Sequence, residues 1–172
     1  MAVGSVQITG TGQLIELNRR LRAAGGAPLR QNMQRRIRRA AEPLRADLQD
    51  TVRTLSMRSQ GRAAGKRGGP SPTTRPFRAS IAAAIRISVR TSSNPGARVF
   101  LDKGLLPRDI PVGAVKQMND GRLRHPVFDN RSRWTNQYTP SLWWDKTVRR
   151  HEPRMRAEVA RVVDDVRRQL GG

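Results

Sequence analysis

The chain predicts an α+β protomer: a long amphipathic N-terminal helix and a C-terminal helix packed on a small antiparallel sheet, with a long basic loop. Three observations carry this. Apolar residues step by three and four along roughly 28–56, and again from about residue 140 to the end. Ile85, Ile87 and Val89 alternate with Arg86, Ser88 and Arg90, and Asn94-Pro95-Gly96 then turns the chain into Arg98-Val99-Phe100-Leu101. Residues 58–76 hold four Gly, three Pro and five basic residues with no large apolar side chain.

The elements follow in order. Ser5-Val6-Gln7-Ile8-Thr9 alternates and predicts a short strand, broken by Gly10-Thr11-Gly12. Leu14, Leu17 and Leu21 predict a short helix over about 12–24, stopped by Gly25-Gly26. Leu29, Met33, Ile37, Ala40/Ala41, Leu44, Leu48, Val52 and Leu55 form one stripe of a long helix over 28–56, with Leu44 and Leu48 as core candidates. Its other faces carry Arg35 and Arg39 among many Arg, and Pro43 inside it predicts a kink. The loop at 58–76 is expected to be a flexible arm of a single domain spanning 1–172. One or two helical turns over 77–84 precede a β-hairpin over about 85–102, and a short helix is expected over 111–119. Residues 121–144 read as irregular and hold most of the aromatic residues. Pro140-Ser141 opens the last helix, whose stripe runs through Val148, Met155, Val159, Val162 and Val166, with Pro153 as an early kink.

Composition narrows the function. There are 34 Lys+Arg against 13 Asp+Glu, a net charge of +21, and only 4% aromatic residues. A large self-sufficient core is not expected, and shared burial in an oligomer would help. Thirty of the 34 basic residues are Arg, a bias that fits a GC-rich genome as well as phosphate or carboxylate recognition. Cysteine is absent, which removes disulfides, thiolate metal sites and cysteine nucleophiles. The two His, His125 and His151, have no carboxylates at a metal-site spacing, so no metal is expected. Neither stands near a nucleophile elbow or a catalytic carboxylate pair, so no enzyme activity and no catalytic residue is expected. The run GRAAGKRGG at 61–69 lacks the GK-[ST] ending and the preceding strand of a phosphate loop, so no cofactor is expected either. No apolar run is long enough to span a membrane, and MAVGSVQITG has no signal-peptide pattern, so a cytoplasmic site of synthesis is expected.

The charge satisfies the first criterion for nucleic-acid binding. Against it, the aromatics are not interleaved with the Arg run of the long helix, and no stacking motif is visible in the sequence. A solvated basic face, or one docking an acidic neighbouring subunit, explains the Arg residues of 30–53 equally well. Trp143 and Trp144 are adjacent, and neighbours on a helix point about 100° apart. Trp144 shares a face with Val148 and is the core candidate, with Val159 further along. Trp143 is expected to face the segment 123–134 or a neighbouring protomer.

The segment 121–148 combines a Leu-Arg-His-Pro-Val-Phe block (123–128), an Asn-Arg-x-x-Trp step (130–134), Gln137, and Pro140 through Trp143-Trp144 into a terminal helix. This resembles the C-terminal signature of small head–tail connector and tail-completion proteins of long-tailed phages. The family pattern has Gly after the Phe of the His-Pro block, where this chain has Asp129. The resemblance implies a structural virion protein of the neck, forming a ring, most often hexameric, that completes the tail end and joins it to the connector. A tail terminator ring is the alternative in the same class, and a basic nucleic-acid-binding protein the alternative from another. The implied partners are further copies of this chain, neighbouring connector, terminator or tail-tube proteins, and packaged DNA in passing, with no membrane. The subunit-contact candidates are Arg35, Arg39, Arg124, His125, Phe128, Trp134 and Trp143.

Overall fold

The computed structural model describes residues 5–9, 16, 19, 27–59, 77–90, 96–107, 110, 113–127 and 130–171. Within them the fold is α+β, built on two long helices. The first, α1 (Ala27–Thr54), buries Met33, Ile37, Ala41, Leu44, Leu48, Val52 and, just past its end, Leu55. The second, α4 (Trp143–Gly171), buries Trp144, Val148, Met155, Val159, Val162 and Val166. These stripes are the ones the spacing predicts, and the core candidates Leu44, Leu48, Trp144 and Val159 are all buried. Pro43 and Pro153 both lie inside continuous helices.

The two helices run antiparallel, because Arg36 bonds Asp165 near one end while Asp47 bonds Arg150 and His151 nearer the other. Helix α4 therefore packs chiefly along α1, whereas the second half of α1 covers a sheet. That sheet has the order β1-β4-β3, all antiparallel, from β1 (Ser5–Thr9), β3 (Ile85–Arg90) and β4 (Gly96–Leu101). Ile85, Ile87, Ala97, Val99 and Leu101 face α1, while Arg86 and Arg98 are exposed. The period-2 alternation of 85–90 is thus a half-buried strand. Helix α2 (Phe77–Ala84) closes the end of this layer, and Gln49 Nε2 donates to the carbonyls of Ala82 (3.0 Å) and Ile85 (3.3 Å) at its junction with β3.

A second antiparallel sheet accompanies the first, in the order β2-β6-β5: β2 (Arg58–Ser59), β6 (Asn130–Tyr138) and β5 (Arg122–Val127). Two expectations change here. The segment 121–144 is not irregular, since most of it is the β5–β6 hairpin. Residues 58 and 59, the first of the expected arm, pair with Gln137 and Tyr138. The remainder of the arm lies outside the described residues, as does most of the expected 12–24 helix, of which Glu16 and Arg19 are helical and ion-paired at 2.9 Å. The short helix α3 (Ala114–Asn119) precedes the hairpin, and Gln117 Oε1 accepts the Arg124 N–H at 2.9 Å. No helix among the described residues is long and apolar enough to cross a membrane.

The start of α4 is held by another element rather than by its own cap. Leu142, just before it, takes a left-handed φ of 58°. Asn119, at the end of α3 and 1% exposed, supplies what Leu142 lacks. Its Oδ1 accepts the Trp144 N–H at 2.9 Å, its Nδ2 donates to Asp145 at 2.7 Å, and its carbonyl accepts the Leu142 N–H at 2.6 Å. The Leu142 and Trp144 N–H groups are donors that a helix N-terminus leaves open, and the bond to Asp145 holds the Asn119 amide in place to accept from Trp144. Gly121, at φ 94°, turns the chain between α3 and β5 beside this junction. A Cβ there would stand 3.3 Å from the Ser141 Cβ.

Candidate interaction surface

The β5–β6 ladder fixes which side chains share a face. Arg122 opposes Tyr138, Arg124 opposes Asn136 and Pro126 opposes Trp134, while Arg58 opposes Tyr138 from the other side. Alternation along a strand puts Arg58, Arg122, Arg124, Trp134 and Tyr138 on one face. Trp134 is 50% and Tyr138 45% exposed, both large rings held out in solvent. The Arg124 guanidinium lies over the Trp134 ring, 5.1 Å from its centre. A shallow open hollow of about 250 Å³ is lined by Arg122, Arg124, Trp134, Thr135 and Asn136.

The sequence makes this face through a local irregularity. Register shifts between Pro126 and Val127, so β6 bulges through Arg131, Ser132 and Arg133. Pro126 has no N–H to give a ladder, and a bulge is where a strand tolerates that. The Trp134 indole N–H donates to the Arg131 carbonyl at 2.8 Å and closes the bulge. The described residues of this sheet contain five Arg (58, 122, 124, 131 and 133) and no Asp or Glu.

Of the expected contact residues, the fold brings only Arg124 and Trp134 together. His125 points to the opposite face, half-buried, with Nδ1 2.9 Å from the Pro126 carbonyl oxygen. Phe128 lies outside the described residues. Arg35 and Arg39 are exposed on α1, far along the chain from the hairpin. Arg39 lines a separate groove of about 580 Å³ between α1 and α4, with Arg36, Arg154, Glu158 and Asp165. Trp143 is corrected: it is 4% exposed and meets Trp144 edge to face at 5.8 Å, so both indoles are core and Trp143 cannot anchor a partner. Both neighbours are buried at the first turn of α4, where Asn119 at the end of α3 also bonds the Trp144 N–H. The indole N–H of Trp143 is buried without a partner. Sequence reasoning missed Arg58, Arg122 and Tyr138 as members of the face. The Arg-x-Arg spacing of 122–124 and the Trp-x-x-x-Tyr spacing of 134–138 are the signals that could have found Arg122 and Tyr138, whereas nothing in the sequence signals Arg58, which joins through the β2–β6 pairing.

The α1–α4 seam carries the perturbed carboxylates. Burial pushes the Asp47 carboxyl up, but hydrogen bonds from His151 (2.7 Å) and Arg150, with their charges, outweigh it and hold the group below its ordinary value. The Arg36 hydrogen bond does the same for Asp165, with Arg168 adding to it. These groups fasten the two helices together. Among the described residues no group of three or more His, Asp or Glu is placed to hold a metal ion.

No protein-family model, curated protein or solved structure matches this chain.

Proposed function

We propose that the protein is a structural, non-enzymatic virion subunit of the phage neck, assembling as a ring that completes the tail end and joins it to the connector. One observation carries this: the edge of β6, which is open among the described residues. At Asn130 and along 134–136 it has β5 on one side and no described strand on the other, since β2 covers only Gln137 and Tyr138. An open edge beside an exposed Trp and Tyr is a liability in a lone protomer, and pairing with a neighbour removes it. A head-to-tail contact of this kind closes into a ring when the rotation allows. The residues that resemble the connector signature, 121–148, fold as the hairpin and the start of α4, so the likeness and the open edge fall on one unit. A tail terminator ring fits the same geometry.

The test is native mass spectrometry of the purified chain, together with protein identification in purified particles and imaging of the neck. A ring multiple of the 19.3 kDa protomer, or ring density in the particle, is the expected result. A protein that stays monomeric at all concentrations and is missing from particles would overturn the proposal.

A further inference from the structure

We infer that the outer face of the β5–β6 sheet is a binding platform for single-stranded nucleic acid, with Trp134 and Tyr138 stacking bases and Arg58, Arg122 and Arg124 taking phosphates. The inference stands on the face itself and not on the ring proposal, which uses the edge of β6.

Four features converge. The face carries two exposed rings on one strand, four residues apart, hence about 13 Å from each other at the rise of a β-strand. Each ring has Arg residues in register with it or over it: Arg58 and Arg122 oppose Tyr138 from its two neighbouring strands, and the Arg124 guanidinium lies over Trp134. No described residue of the sheet is acidic, so no internal carboxylate competes for those guanidiniums. The hollow among Arg122, Arg124 and Trp134 opens to solvent beside the ring.

The chemistry selects the partner. Arg58, Arg122 and Arg124 on one small face repel a second copy of that face, so the occupant is an anion and not this chain's own sheet. An acidic peptide would satisfy the guanidiniums but gives no reason for two half-exposed rings on the same face. A single nucleic-acid strand satisfies both at once, because every base has a π-face and every linkage a phosphate. A duplex hides its bases from stacking and would use the charges alone. Sequence preference is not expected, since stacking tolerates any base.

The test uses the full chain and fluorescence anisotropy of a labelled oligothymidylate, with duplex of the same length and polyglutamate as comparison probes. Wild type is expected to bind the single strand more tightly than either comparison probe at moderate salt. Trp134→Ala and Tyr138→Ala are each expected to weaken binding by about 5- to 150-fold, the range for loss of one base–aromatic stack. Neither ring is in the core, so helical circular dichroism should be unchanged; because the Trp134 indole N–H also closes the β6 bulge, Tyr138→Ala is the variant that isolates the loss of stacking. Arg124→Glu is expected to weaken binding strongly, whereas Arg35→Glu with Arg39→Glu, on α1, should have a much smaller effect that vanishes at high salt. Wild-type affinity in the double ring variant, equal affinity for duplex or polyglutamate, or no binding at low salt would each overturn the inference.

Discussion

Replacing Asn119 by Ala should unfasten the start of α4. The substitution removes two side-chain hydrogen bonds, to the Trp144 N–H and from Nδ2 to Asp145. Losing an N-cap costs about 0.5–2 kcal/mol. The Trp144 N–H is then a buried donor without a partner, which costs about 1–3 kcal/mol. The two figures describe the same orphaned N–H, so the cost is about 1–3 kcal/mol, a large share of the roughly 5–15 kcal/mol that holds a domain together. At about 2–4 °C per kcal/mol for a chain of this size, Tm should fall by roughly 2–12 °C. Thermal unfolding followed by circular dichroism measures it. Asn119→Asp sharpens the test. It keeps one acceptor for the Trp144 N–H but sets a carboxylate against Asp145, where the amide donor stood at 2.7 Å. Its defect should be large at neutral pH and shrink toward pH ~4, as a shared proton restores a bond between the two carboxylates. A Tm for Asn119→Ala within about 1 °C of wild type would refute the cap. So would an Asn119→Asp defect that ignores pH.

Trp143→Ala and Trp144→Ala should each cost about 3–5 kcal/mol, since both rings are core, and denaturant unfolding of the two variants will give comparable losses. Trp143→Phe should cost much less than Trp143→Ala, because it keeps most of the ring and deletes an indole N–H that is buried without a partner. Asp47 has its folded value held below the usual 3.8, so its contribution is complete above pH ~4 and disappears as pH falls through the lower folded value. Acid titration of stability should therefore be flatter in Asp47→Asn than in wild type below pH 4; parallel curves would show that the α1–α4 seam does not depend on this carboxylate. Arg35→Glu with Arg39→Glu should leave unfolding within about 0.5 kcal/mol of wild type, and any change in native mass at low salt would assign that face to subunit contact.

The two long helices and the first sheet were legible because burial on one side writes a period into the sequence. Met33 to Leu55, and Trp144 to Val166, repeat every three or four residues, and Ile85, Ile87 and Val89 every two, wherever one face meets a core. The β5–β6 hairpin wrote no such period. Of its described side chains only Leu123 is buried, so both faces tolerate Arg, Asn and Thr, and Pro126 in mid-strand counts against a strand until the bulge beside it is known. Trp143 misled for a related reason. Helical geometry separates neighbours by about 100°, which implies one buried indole on a helix covered along a single side, yet both indoles are buried at the first turn of α4, where Asn119 of α3 also docks. The sequence by itself therefore determined the protein's helices, first sheet and core stripes, because those follow from local periodicity. Only the tertiary structure decided that Asn119 caps a helix begun 24 residues later, and that Arg58, Arg122, Arg124, Trp134 and Tyr138 share one exposed face. Contacts between distant segments leave no trace in the spacing of either one.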